Sequence, residues 1–173
     1  RVKRKMTPDE EDPDAFLYRT GDAPAKVGIE PKIAEKIADS WRQAKAAPEI
    51  IVAKTQADIP PAVVKQMAKE NAMGAKGFYN LKDNKVYVIP ENNEDARDVA
   101  LTLMHEIVGH YGLRAVLGEQ YAQVMRQAAK NSEVQKQLGQ RPASERNVEE
   151  AIAEISERAV DDKLPAPARG LFN

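Results

Sequence analysis

The sequence predicts an α+β domain that is mostly helical, with a small β-sheet of about three strands beside one long helix. Three observations carry that expectation. Apolar residues recur at helical spacing through much of the chain, from Ile33, Ile37 and Trp41 to Val148, Ile152 and Ile155. Short β-branched runs, Ile50-Ile51-Val52-Ala53 and Lys85-Val86-Tyr87-Val88-Ile89, stand between proline and glycine punctuation. A length of 173 residues suits one domain with a core of its own and leaves no room for two ordinary ones.

Taken in order, residues 1–28 open on Arg1-Val2-Lys3-Arg4-Lys5 and pass into an acidic, proline-bearing stretch, the composition of a linker within a longer polypeptide. The folded domain is expected over 29–162, and 163–173 forms an extended tail because Leu164-Pro165-Ala166-Pro167 cannot continue a helix. Pro31 suits a first helical position, and the helix it starts ends before Pro48. A strand at Ile50–Ala53 and a helix from Pro60-Pro61 to a left-handed cap at Gly74 follow. Gly77-Phe78-Tyr79-Asn80 and Lys85–Ile89 flank the polar turn Leu81-Lys82-Asp83-Asn84 as a hairpin. Asn92 or Asn93 caps a long helix whose inner stripe is Val99, Leu103, Ile107, Leu113 and Leu117. Further helices are expected at 119–130, at 132–138 with Ser132 as cap, and from Ser144 onward with Val148, Ile152, Ile155 and Ala159 inward.

Lys plus Arg number 26 and Asp plus Glu 27, a net charge of −1 that supplies no field to draw the chain to nucleic acid or an anionic membrane. With no cysteine, a metal can be held only by imidazole or oxygen. No apolar run approaches the roughly 18 residues that span a bilayer, and no signal-peptide pattern opens the chain, so a soluble, cytoplasmic domain is expected.

Chemistry concentrates in one window. The chain has two histidines, and both fall in His105-Glu106-Ile107-Val108-Gly109-His110. The zinc-helix pattern H-E-x-x-H works because residues four apart share a face; here the separation is five, which leaves the rings about 140° apart on a regular α-helix. A π-bulge would restore a common face, or the helix could break at Gly109. If both histidines bind Zn2+, Glu106 lies beside the metal as general base and acid for peptide hydrolysis. A catalytic zinc takes three protein ligands, so the third is a carboxylate, and the acidic segment Glu149-Glu150-Ala151-Ile152-Ala153-Glu154 is its best source. On the helical wheel Glu149 borders the apolar stripe and Glu150 points away from it, so Glu149, Glu150 and Glu154 all stay open.

The six residues from His105 to His110 resemble the HExxxH motif of the TldD-type metalloproteases, although those enzymes use a cysteine that this chain lacks. A broader likeness runs from about Trp41 to Glu157: Gly77-Phe78-Tyr79, Val86-Tyr87-Val88, then Leu103 to Arg114 with its Gly109-His110-Tyr111-Gly112-Leu113-Arg114 continuation, and finally the Glu-Glu helix. It is similar to the zincin-like metallopeptidase domain of the large polyvalent proteins of phages and other mobile elements. That resemblance implies a zincin-like fold within a longer polypeptide in a bacterial or phage-infected cell, acting on a protein or peptide. Glu150-Ala151-Ile152-Ala153-Glu154 is also similar to the segment that carries the glutamate ligand in gluzincins, which implies a gluzincin-like centre with Glu150 as third ligand. The zincin likeness further implies that a strand beside the metal helix binds extended substrate by edge addition, with Lys85–Ile89 the candidate and Tyr87 and Val88 its contacts. Tyr111 is a candidate substrate contact; it and Arg114 are residue types that stabilise an oxyanion or grip a substrate carboxylate, and more often ones that cover apolar surface.

Overall fold

The computed structural model describes residues 16–20, 28–69 and 71–163. The first and last segments expected as linker and tail lie largely outside these residues. Among the described residues four strands form one sheet: β1 (Phe16–Thr20), β2 (Glu49–Val52), β3 (Ala75–Asn80) and β4 (Lys85–Val88), in the order β1-β3-β4-β2. β3 and β4 are the expected hairpin. Its turn closes through Asn84 at φ +59°, a conformation asparagine tolerates, while the Asp83 carboxylate accepts from Lys85 N at 3.1 Å. β2 lies parallel to β4, and β1 runs antiparallel along the free edge of β3. The sheet has one strand more than the about three expected. β1 is a fourth strand inside the segment read as linker.

Helices cover both faces of the sheet. Phe78 and Tyr87, direct partners across the hairpin, stack with ring centroids 4.5 Å apart and pack with Val63 and Met67 of α2 (Pro61–Lys69). On the opposite face Tyr79, Val86 and Val88 meet Ala34 and Ala38 of α1 (Pro31–Arg42) and Val99 and Leu103 of α3 (Ala96–Met104). The alternation follows from the period of two along a strand, and both sets are apolar because both faces are covered. α2 is shorter than expected, and its exit turns at Asn71, φ +56°, rather than at Gly74.

α3 continues without a break through a π-helical segment, His105–Gly112, into α4 (Leu113–Leu117). α5 (Tyr121–Ala128), α6 (Ser132–Leu138) and the long α7 (Glu145–Lys163) build a second core around Met125, Val134, Leu138, Val148 and Ala151. α7 also packs along the π segment, which sets one helix carrying glutamates against another carrying histidines.

Candidate metal centre

The local sequence explains why the histidine helix is rigid. Asp95 is the N-cap of α3, its carboxylate accepting from Asp98 N at 2.8 Å; the expected caps Asn92 and Asn93 do other work. Asn93 is buried and ties α3 to the sheet: its amide donates to Lys76 O and Ile89 O, and its carbonyl accepts from Thr102 Oγ1. Val99, Leu103 and Ile107 anchor the same helix to the core.

The π segment resolves the five-residue spacing. Bonding from i to i+5 widens the turn and brings His105 and His110 to a common side, their ring centroids 4.9 Å apart and both residues at most 1% exposed. Of the two routes left open by the sequence, the bulge is the one taken. Gly109 is needed for a different reason from the one expected. A Cβ there would stand 2.3 Å from Ala153 Cβ and 2.8 Å from Ala153 Cα, so the glycine exists to let α7 approach.

That approach delivers a carboxylate. Glu150 Oε1 lies 3.2 Å from His105 Nε2, and Glu150 Oε2 lies 3.4 Å from His110 Nε2. Ligands held about 2.0 Å from a tetrahedral zinc lie about 3.3 Å from one another, close to both histidine–carboxylate separations, and one ligand atom from each of the three residues lies within 4.8 Å of the others. All four imidazole nitrogens are buried and none has a partner in hydrogen-bond geometry. Two buried imidazoles and a carboxylate that offer three ligand atoms within 4.8 Å of one another are a donor set suited to zinc. The residues present therefore fit the ion. Glu154 is elsewhere, paired with Arg141 at 2.8 Å, and Glu149 stands behind the first histidine–carboxylate layer.

The far nitrogens of both rings also face carboxylates, Glu157 Oε2 at 3.3 Å from His105 Nδ1 and Glu149 Oε1 at 3.2 Å from His110 Nδ1. Outer carboxylates of this kind fix ring orientation and raise ligand basicity. Each is itself held. Glu149, fully buried, accepts from Arg114 Nε at 2.9 Å and Nη2 at 2.6 Å and from the Tyr121 hydroxyl. Glu157 is gripped by Arg19 of β1, Nε to Oε2 at 3.1 Å and Nη2 to Oε1 at 2.6 Å. Glu106 is fully buried; its Oε1 accepts from Arg19 N at 2.9 Å and its Oε2 has no partner.

These contacts set the charges. Burial alone would lower both histidines, but close contact with Glu150 and Glu157 lifts His105 to about 9, and contact with Glu149 and Glu150 lifts His110 to about 10. Burial raises Glu106 to about 7 against the pull of both imidazoles. Glu157 falls to about 2 because His105 and Arg19 outweigh its burial. A histidine raised above its ordinary 6.5 adds stability that is complete below that value and lost as pH climbs through the folded value. A carboxylate lowered from 4.5 adds stability present above 4.5 and lost as pH falls towards 2. Glu106, raised from the same 4.5, loses stability as pH rises towards 7. Metal-free protein is thus expected to melt highest near pH 5, lower at pH 3 and lower again at pH 9, as thermal melts in chelator would record. Bound zinc competes with those protons, so its gain in melting temperature should grow with pH.

Expected substrate contacts fare less well. β4 is hydrogen-bonded to β3 on one side and β2 on the other, so Lys85–Val88 offers no edge for a peptide. Tyr87 faces α2 with its hydroxyl on Asp83 Oδ2 at 2.7 Å, and Val88 is fully buried in the opposite core; neither can reach a substrate. Tyr111 lies half-buried edge-on to Tyr79, centroids 5.8 Å apart, and Arg114 serves Glu149. Reasoning from sequence missed Glu157 and Arg19. Glu157 had a signal, since it follows Glu150 by seven residues and so shares its helix face.

Replacement of Glu150 by alanine is expected to abolish tight zinc binding, whereas Glu149→Gln should weaken it about 10–100-fold by freeing the His110 ring. Glu154→Ala should leave it unchanged; competition against a chromophoric chelator measures all three. Scans against protein-family models and searches of curated proteins and solved structures give no match to this chain.

Proposed function

We propose that the chain is a zinc-dependent metallopeptidase domain of zincin-like, gluzincin-like type, with His105, His110 and Glu150 as ligands and Glu106 as general base and acid. The observation that carries this reading is the convergence of His105, His110 and Glu150, with one ligand atom of each within 4.8 Å of the others, one residue from a buried glutamate with a free oxygen. Zinc supplies Lewis acidity that makes water acidic near neutral pH. Glu106 Oε2 takes the proton from the attacking water and returns it to the leaving amine, a role suited to a carboxyl that titrates near 7. Oε1 keeps the carboxylate in place through the Arg19 amide. Glu149 and Glu157 orient the imidazoles, and the apolar stripe of α3 holds the helix against the sheet. The substrate is a protein or peptide, Zn2+ the cofactor, and the setting a longer, cytoplasmic polypeptide of the phage polyvalent kind. Nucleic acid and membrane are not expected partners; no helix among the described residues is long and apolar enough to cross a bilayer.

One feature favours a second reading, a catalytically inactive zincin-fold module with a structural metal: Glu106 is wholly buried. Chelation separates the two. For a catalytic ion, chelator is expected to abolish hydrolysis of a casein-derived peptide mixture while far-UV circular dichroism stays native, and added zinc restores activity. A structural ion would instead take the fold with it.

A further inference from the structure

The Glu106 carboxylate is covered by a strand of the chain itself. β1 adds to the free edge of β3 with Arg19 opposite Gly77, and that register puts the Arg19 amide on Glu106 Oε1 at 2.9 Å. Its side chain enters a recess between α3 and α7. There Nη1 donates to Asp98 Oδ1 at 2.9 Å and to Thr102 Oγ1 at 2.8 Å, while Nε and Nη2 form a fork on Glu157. Four donor contacts, two of them a fork on one carboxylate, match a guanidinium; a lysine ammonium could not make the fork. Asp98 has a second cation, Lys76 Nζ at 2.6 Å, so removal of Arg19 leaves Asp98 paired and Glu157 short of its guanidinium partner. The emptied recess would keep a demand for one positive charge of planar shape.

We propose that the recess formed by Asp98, Thr102 and Glu157, beside Glu106, is an arginine-recognition subsite, filled in cis by Arg19, whose ligand in trans is an extended peptide bearing arginine. The assignment rests on the peptidase reading for its purpose, since it places an arginine-bearing strand against the proposed base. Strand β1 is the element suited to exchange. Among the described residues it is hydrogen-bonded to a neighbour on one side only, its register slips between Arg19 and Thr20, and it alone donates a described hydrogen bond to Glu106. An incoming segment on the same edge of β3 would inherit both features, a main-chain amide on Glu106 and a guanidinium in the recess. While β1 is seated, the site is closed to such a segment.

The test uses the full chain and a fluorescein-labelled peptide copying residues 14–22, read by anisotropy with no zinc required. Arg19→Ala is expected to bind this peptide at least about tenfold more tightly than the wild-type chain does, and to prefer it about tenfold over the same peptide with lysine in place of arginine. Equal binding by both proteins, or no preference between the two peptides, overturns the proposal. Should Arg19→Ala fail to fold, hydrogen exchange of the wild-type chain decides. β1 amides exchanging about 100-fold faster than those of the β3–β4 ladder support an exchangeable strand, and β1 opening only with global unfolding overturns it. Absence of hydrolysis in every variant alongside arginine-selective binding would count against the peptidase reading and leave the subsite standing. Hydrolysis without that selectivity would remove the subsite alone.

Discussion

Glu106→Gln is expected to lower peptide hydrolysis about 10³-fold while the protein still folds and still binds one zinc. Glutamine keeps the size of the side chain and an oxygen for the Arg19 amide, so the hydrogen bond to β1 survives. What it loses is the proton acceptor at Oε2. A second signature separates this role from a structural one. Burial raises the Glu106 carboxyl to about 7, so above that pH the folded protein carries an ionised group that its surroundings disfavour. In metal-free protein the variant should therefore melt at the same temperature as wild type near pH 4 and at a higher one near pH 8. Unimpaired hydrolysis by the variant would remove Glu106 from the chemistry.

Gly109→Ala is expected to damage both the fold and the centre. Its Cβ would collide with both the Cβ and the Cα of Ala153, at 2.3 and 2.8 Å, and neither can rotate away. α7 must retreat, and Glu149 and Glu150 retreat with it, one turn earlier on the same helix. Overpacking of this kind costs about 3 kcal/mol, and in a domain of this size that corresponds to a fall in melting temperature of roughly 6–12 °C. Zinc affinity should fall by about 100-fold or more, because the carboxylate ligand is displaced. Adding Ala153→Gly removes the colliding atom and is expected to recover much of both losses, a coupling that a double-mutant cycle measures. A Gly109→Ala protein with wild-type melting temperature and zinc affinity would contradict the close approach of the two helices.

Much of the centre was legible because it is local. His105, Glu106 and His110 sit in six consecutive residues, and a spacing of five on a helix anchored by Val99, Leu103 and Ile107 demands either a π-bulge or a break. The bulge could not be chosen over the break from sequence, since the choice rests on how α7 packs against Gly109. The carboxylate was narrowed to one helix but not to one residue, because a wheel drawn on one apolar stripe assumes one buried face. α7 has two: Val148 and Ala151 face the helical core, while Glu150, Ala153 and Glu157 face the π segment. Strand order was the larger failure. The parallel addition of β2 beside β4 turns Lys85–Val88 into an interior strand, and no local pattern announces a pairing between residues 36 apart. Phe16–Thr20 carries β-forming residues, yet its charged and proline-bearing neighbours gave the whole segment the look of a linker. Arg19 was invisible for the same reason, since its partners Asp98, Thr102 and Glu157 lie 79 to 138 residues away.

The convergence of His105, His110 and Glu150 on one cation is tested most directly by zinc-edge X-ray absorption on the full chain, together with metal content after dialysis. The expected result is one zinc per chain, coordinated at about 2.0 Å by nitrogen and oxygen with the multiple-scattering signature of two imidazoles, and loss of that signal in His110→Ala. Retention of less than a tenth of an equivalent of zinc at micromolar free metal, or a first shell without imidazole, would contradict it.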